Sequence, residues 1–115
     1  MRIISERKLR EFSHEAIGAE AVSRGKVLRG WINIVRVADW ASLSEIKQTF
    51  NSADAYGDCV IFDVGGNKYR IVGKVGYKKH LVFIRFVLTH NEYDKKMAAR
   101  LQIYSLGHET NEEKG

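Results

Sequence analysis

Apolar residues in the first half of the chain recur at helical spacing, whereas in the second half they alternate or run together as strands do. Residues 1–4 form a short apolar stretch, followed by Ser5 as a candidate N-cap with Glu6 in the first turn of a helix. Leu9, Phe12 and Ala16 mark the buried side of that helix, and Gly18 is its expected stop. A second helix is predicted over about 19–38, with Leu28, Trp31, Val35 and Ala38 as its apolar stripe and Arg29, Asn33 and Arg36 on another face. Gly25 and Gly30 weaken it by about 1 kcal/mol each relative to alanine. Ser42 and Glu45 form a capping box ahead of Leu43, Ile46 and Phe50, which predicts a short third helix. Residues 51–58 read as a polar turn.

From Cys59 to Val64 the pattern is that of a strand, and Gly65-Gly66 supplies the positive φ angles of a tight hairpin. Residues 67–76 then alternate, with Lys68, Arg70, Val72 and Lys74 on one face and Tyr69, Ile71 and Val75 on the other. A second turn over 76–79 leads into a third strand at 81–88. A run of helices followed by a run of strands predicts an α+β fold, with N-terminal helices packed on one face of a small, mostly antiparallel β-sheet. The other face is left open, and Lys68, Arg70 and Lys74 are expected to stand on it.

At 115 residues the chain has room for one core. A single domain over 1–104 is expected, with 105–115, which holds Glu109, Glu112 and Glu113, as a flexible acidic tail. The longest apolar runs are four residues, too short to span a membrane, and the N-terminus lacks the apolar stretch of a secretory signal. One cysteine excludes an internal disulfide framework, so a cytoplasmic protein is expected. The net charge of +5 is unevenly placed: no acidic residue lies between Val64 and Asn91, while Lys68, Arg70, Lys74, Lys78, Lys79 and Arg85 all do. A polyanion, nucleic acid first, is the expected partner.

Arg85 interrupts seven apolar residues, so it must reach water, pair with a carboxylate such as Asp63, or serve a site beside Arg70. Two arginines on one face suit a phosphate, which each can bind bidentately. His90 follows directly after the last strand, where a histidine can exchange a proton near neutral pH, and Tyr93 offers a phenol. The four histidines lack metal-ligand spacing, and no dinucleotide, P-loop or nucleophile-elbow motif is present. Chemistry without metal or cofactor is what remains. Two non-enzymatic alternatives stay open: an RNA- or ribosome-binding protein using the same basic face, or an interaction domain docking an acidic protein.

Three segments, Gly66-Asn67-Lys68-Tyr69-Arg70, Ile84-Arg85-Phe86-Val87 and Thr89-His90-Asn91-Glu92-Tyr93-Asp94, closely resemble the HigB-type toxins of bacterial type II toxin–antitoxin systems. Ala38-Asp39-Trp40, Glu45-Ile46-Lys47 and Ala53-Asp54 resemble that family's middle segment. The resemblance covers about residues 1–94. It implies a RelE-like fold and an mRNA interferase acting on ribosome-bound message, with a HigA-type helix-turn-helix antitoxin as partner. It also implies attack of the 2′-hydroxyl on the scissile phosphate, which needs a base, an acid and cations but no metal. On that basis Arg70 and Arg85 are expected at the phosphate, His90 as general base or acid, and Tyr93 in orientation or proton transfer. Asn67, Lys68, Lys74, Lys78 and Lys79 are expected to bind the RNA.

Overall fold

A computed structural model describes residues 1–95, so the tail expected over 105–115 lies outside the described residues. The chain runs β1 (Arg2–Ile4), α1 (Glu6–His14), α2 (Gly18–Val37), α3 (Leu43–Thr49), β2 (Asp54–Tyr56), β3 (Cys59–Val64), β4 (Tyr69–Gly76) and β5 (Leu81–Thr89). A helical segment over 90–95 follows β5 directly. The strands make one sheet in the order β1-β5-β4-β3-β2. β1 is parallel to β5 and the other pairs are antiparallel. This is the expected α+β architecture.

The helix signals act as read. Ser5 Oγ accepts from the Arg7 amide at 3.2 Å, and Ser42 Oγ accepts from the Glu45 amide at 3.3 Å. Each satisfies one donor that the helix cannot. Gly25 and Gly30 do not break α2. Gly18, expected to stop the first helix, instead opens α2 with φ of +62°. The segment read as a polar turn contains β2, which pairs Tyr56 with Cys59 across Gly57 and Asp58. Three largely exposed residues on a sheet edge carry no hydrophobic alternation that could have announced them.

Leu28, Trp31 and Val35 of α2, with Leu9 and Phe12 of α1 and Ile46 of α3, bury against Phe62, Val64, Tyr69, Ile71, Val82 and Ile84 of the sheet. Phe62 is the aromatic hub: its ring centroid lies 5.3 Å from Trp31 and 5.5 Å from Phe50, both edge-on. Edge-to-face pairing suits the charge distribution of the rings. Tyr69 is buried with its hydroxyl donating to Glu20 Oε2 at 2.6 Å. Arg24 holds the same carboxylate at 3.1 Å and stacks over Phe12 at 4.1 Å. The Tyr69 hydroxyl, then Arg24, hold the Glu20 carboxyl below its usual range.

The opposite face of the sheet carries no helix of the α1–α3 layer but is not a bare row of cations. Cys59, Ile61 and Val72 form a small second cluster, packed by Tyr56, Phe86 and Tyr93. Phe86 reaches this face because β5 bulges: Val72 pairs with Phe86 but Gly73 pairs with Ile84, leaving Arg85 as the extra residue. The bulge requires glycine at 73, where a Cβ would sit 3.0 Å from the Val82 side chain and 3.1 Å from the Phe83 carbonyl oxygen.

Tyr69→Phe is expected to cost about 1.5–3 kcal/mol in urea unfolding, the value of a hydrogen bond to a charged acceptor. Burial first, and the Glu20 hydrogen bond second, raise the Tyr69 phenol above its ordinary value. The folded state therefore keeps a proton that the unfolded chain releases, and stability should fall as pH rises past about 10. Burial also raises Tyr77 and Tyr93. The variant should accordingly show a shallower alkaline decline, not a flat profile.

Candidate active site

β4 aims Arg70 at the face away from the helices, directly across from Asp63 on β3. A guanidinium with only 10% of its side chain exposed needs its hydrogens taken, and four of the five have the partners that follow. Nε meets Asp63 Oδ1 at 2.8 Å. Nη1 donates to the carbonyls of Asn67 at 2.9 Å and Tyr69 at 3.3 Å. Nη2 lies 2.8 Å from His90 Nδ1. The left-handed backbone of Asn67 (φ 70°) belongs to a four-residue turn over 65–68, so the hairpin is two residues longer than Gly65-Gly66 alone would make it. That shift of two preserves which face each strand residue occupies, but it sets Asp63 rather than Ile61 opposite Arg70.

His90 begins the segment 90–95, which Thr89 opens with a reciprocal capping box. The Thr89 amide donates to Glu92 Oε1 at 2.9 Å, and the Glu92 amide donates to Thr89 Oγ1 at 3.1 Å. The His90 amide donates to the Lys68 carbonyl at 2.8 Å, tying this segment to the hairpin turn. One helical turn on, Asp94 Oδ2 lies 3.2 Å from His90 Nε2. Arginine can only donate, so Nδ1 accepts from it and the ring proton belongs on Nε2, facing Asp94. Tyr93 packs on the second cluster, its ring centroid 5.6 Å from the Arg70 guanidinium carbon. Burial chiefly raises its phenol above the ordinary value, against the opposing pull of Arg70. At neutral pH it is a proton donor.

Arg70, His90 and Tyr93 therefore converge, and Asn67 and Lys68 join them through main-chain oxygens. Lys68 is an exposed turn residue rather than a strand residue in a cationic row. Arg85 is not brought into this cluster. It sits about 10 Å along β5 from the position facing Arg70, at about 3.3 Å per residue. It is exposed, its carbonyl accepts from Lys8 Nζ at 3.2 Å, and it borders a groove with Lys8 and Glu11 of α1 and the C-cap residue Glu15. Asp63, weighed as a partner for Arg85, is held by Arg70 instead. Nor can Arg70 grip a phosphate bidentately as expected, because Nε and Nη1 are already engaged; only Nη2 is offered.

The acid-free stretch of sequence is not acid-free in space. Asp58 of the β2–β3 turn meets Lys74 (3.4 Å), Asp63 of β3 meets Arg70, and Asp94 meets His90. The hydrogen bond from Lys74 is the main reason the Asp58 carboxyl falls below its usual range. Asp63 and Asp94 are the site residues that sequence reasoning missed. Among the described residues, no three His, Cys, Asp or Glu side chains gather as a metal site requires, and no helix is long and apolar enough to cross a membrane.

Residues 24–96 match the family model of the HigB toxin, a RelE-like toxic component of a toxin–antitoxin system. The chain belongs to the HigB toxin family. The mRNA interferase HigB of Escherichia coli O6:H1 (strain CFT073) is 24% identical over 102 residues, covering 83% of this chain and 90% of that protein. The mRNA interferase toxin HigB of Escherichia coli K12 is 47% identical over 52 residues, covering 43% of this chain and 50% of that protein. The mRNA interferase HigB of Shigella flexneri has the same identity and coverage. HigB family membership implies an antitoxin as partner, and the matched span contains the whole Arg70, His90 and Tyr93 cluster.

In this HigB-family site Asp63 is the counter-charge that lets Arg70 stay buried. Asp63→Ala should cost about 3 kcal/mol in urea unfolding, because it strands a largely buried cation. Adding Arg70→Met should recover most of that loss, since an apolar side chain suits the neighbouring Val72 and Tyr93.

Proposed function

We propose that this chain is an endoribonuclease toxin that cleaves translated mRNA on the ribosome and so inhibits translation, and that a HigA-type helix-turn-helix antitoxin neutralises it. One observation carries this reading. A buried arginine presents a single nitrogen, Nη2, beside the imidazole of His90, with a protonated phenol whose ring lies by the guanidinium. Those are the groups that cleavage by a neighbouring 2′-hydroxyl requires, a cation with a base and an acid.

In the free protein the lone pair of His90 Nδ1 is occupied by Arg70. A phosphate oxygen that takes the Nη2 hydrogen frees Nδ1 to accept the 2′-hydroxyl proton. The 2′-oxygen then bonds to phosphorus while the bond from phosphorus to the 5′-oxygen breaks. Asp94 steadies the imidazolium through Nε2, and the Tyr93 phenol protonates the departing 5′-oxygen. The products are a 2′,3′-cyclic phosphate and a 5′-hydroxyl, with protons and electrons balanced and no further reactant consumed. Arg70 offsets the charge that develops on phosphorus. Lys68 and Arg85 contact the flanking backbone, Asn67 shapes the turn, and Lys74, Lys78 and Lys79 extend the binding surface along β4.

Induced expression with mapping of new mRNA 5′ ends tests this. Wild type should arrest growth and cut within translated messages. His90→Ala should lower cutting about 10²-fold or more, and Arg70→Ala by a similar factor, both shown folded by circular dichroism. Arg85→Ala, outside the cluster, should lose far less. Single-stranded DNA should bind yet stay intact, because it lacks the nucleophile. Normal growth with intact messages from folded, antitoxin-free protein would leave a non-catalytic RNA or ribosome binder.

A further inference from the structure

Alternation along β4 sets Arg70, Val72 and Lys74 on one face, and β5 sets Phe83 directly across from Lys74. Beyond them the β4–β5 turn folds over to form a cavity of about 680 Å³. Lys74, Tyr77, Lys78, Lys79 and Phe83 line it, with Ala41 from the α2–α3 connection. Two features set this cavity apart. Phe83 is 45% exposed, whereas Phe12 and Phe62, its counterparts on the helix-covered face, are almost wholly buried. Among the large apolar side chains exposed in the described residues, Phe83 is the only ring; the others are Ile17, Val22, Ile34 and Val37. The cavity is also lined by three lysines and no acid, and among the described residues no ion pair engages Lys78 or Lys79.

A bare aromatic ring flanked by unneutralised cations is complementary to a nucleotide: the base has a π-face to stack, and the phosphates take the lysines. An acidic protein segment would satisfy the same charges. Continuity with the site at Arg70 favours RNA. Lys74 lies about 13 Å from Arg70 along β4. Between them Val72 and Phe86, paired across β4 and β5, form an apolar floor over which a single strand can lie.

We propose that this cavity is a base-stacking subsite for single-stranded RNA, a few nucleotides from the scissile phosphate, with Phe83 as the platform and Lys78 and Lys79 on flanking phosphates. The proposal rests on the endoribonuclease reading above and assigns where the rest of the substrate lies.

Fluorescence anisotropy of antitoxin-free protein with a short, uncleavable 2′-O-methyl RNA reads it directly. Phe83→Ala should weaken binding about tenfold, and Phe83→Trp should restore it. Lys78→Gln with Lys79→Gln should lessen the slope of log affinity against log salt by about 1.4, the loss of two single-strand phosphate contacts. An oligonucleotide abasic along its length should bind wild type and Phe83→Ala alike. Equal affinity of wild type and Phe83→Ala for the normal oligonucleotide overturns the subsite, and if antitoxin binding alone then weakens, the cavity belongs to a protein partner. Wild type that cuts message in cells but shows no Phe83 effect overturns the subsite alone. Protein that neither cuts nor binds overturns both readings.

Discussion

The bond between Arg70 and Asp63 organises the helix-free side of the sheet. A guanidinium this deeply placed cannot be left short of partners, since a desolvated charge without compensation is among the costliest things a fold can contain. Its hydrogens are shared among β3, the hairpin turn, its own strand and the segment after β5. Residues from Asp63 to His90 are thereby tied to one group. The spacing of imidazole and phenol about the arginine follows from that need for compensation.

The two faces of the sheet divide the labour. Most of the buried apolar surface lies under the helices, where Phe62, Trp31, Ile71 and Ile84 pack. The other face keeps only a small cluster around Cys59, Ile61 and Val72. Polar groups that would be ruinous among the helices are tolerated there, because water and cross-strand carboxylates are within reach. A HigB-family toxin can therefore vary its chemical surface without disturbing the layer that holds it up.

The sequence was most legible where physics is local. Ser5 and Ser42 announce their helices through a cap, and the stripe of Leu28, Trp31 and Val35 declares which side of α2 is buried. Arg70, His90 and Tyr93 were legible as chemistry because the residue types are unusual where they stand, and their motifs resemble those of a family. Three things were not legible. β2 is too short and polar to show a period. Asp63, Asp58 and Asp94 act across strands or a helical turn, so an acid-poor stretch of sequence hid their proximity to the cations. Arg85 was set beside Arg70 on the assumption of an unbroken strand, which the bulge removes.

That bulge has a consequence for how β5 can change. Val82 and Ile84 face the helices, and so does Val87; only the extra residue between them makes both statements true. Before Arg85 the even-numbered side chains point into the core, and after it the odd-numbered ones do. Removing Arg85 would close the bulge and leave Phe86 outside and Val87 inside, because Ile84, Phe86 and Val87 would then simply alternate; an unbulged strand of the present length would instead turn Phe86 toward the helices and Val87 toward water. The facing of β5 thus depends on a single residue: Arg85 can be lost without exchanging the two faces of the strand, but it cannot be drawn into the ladder without exchanging them.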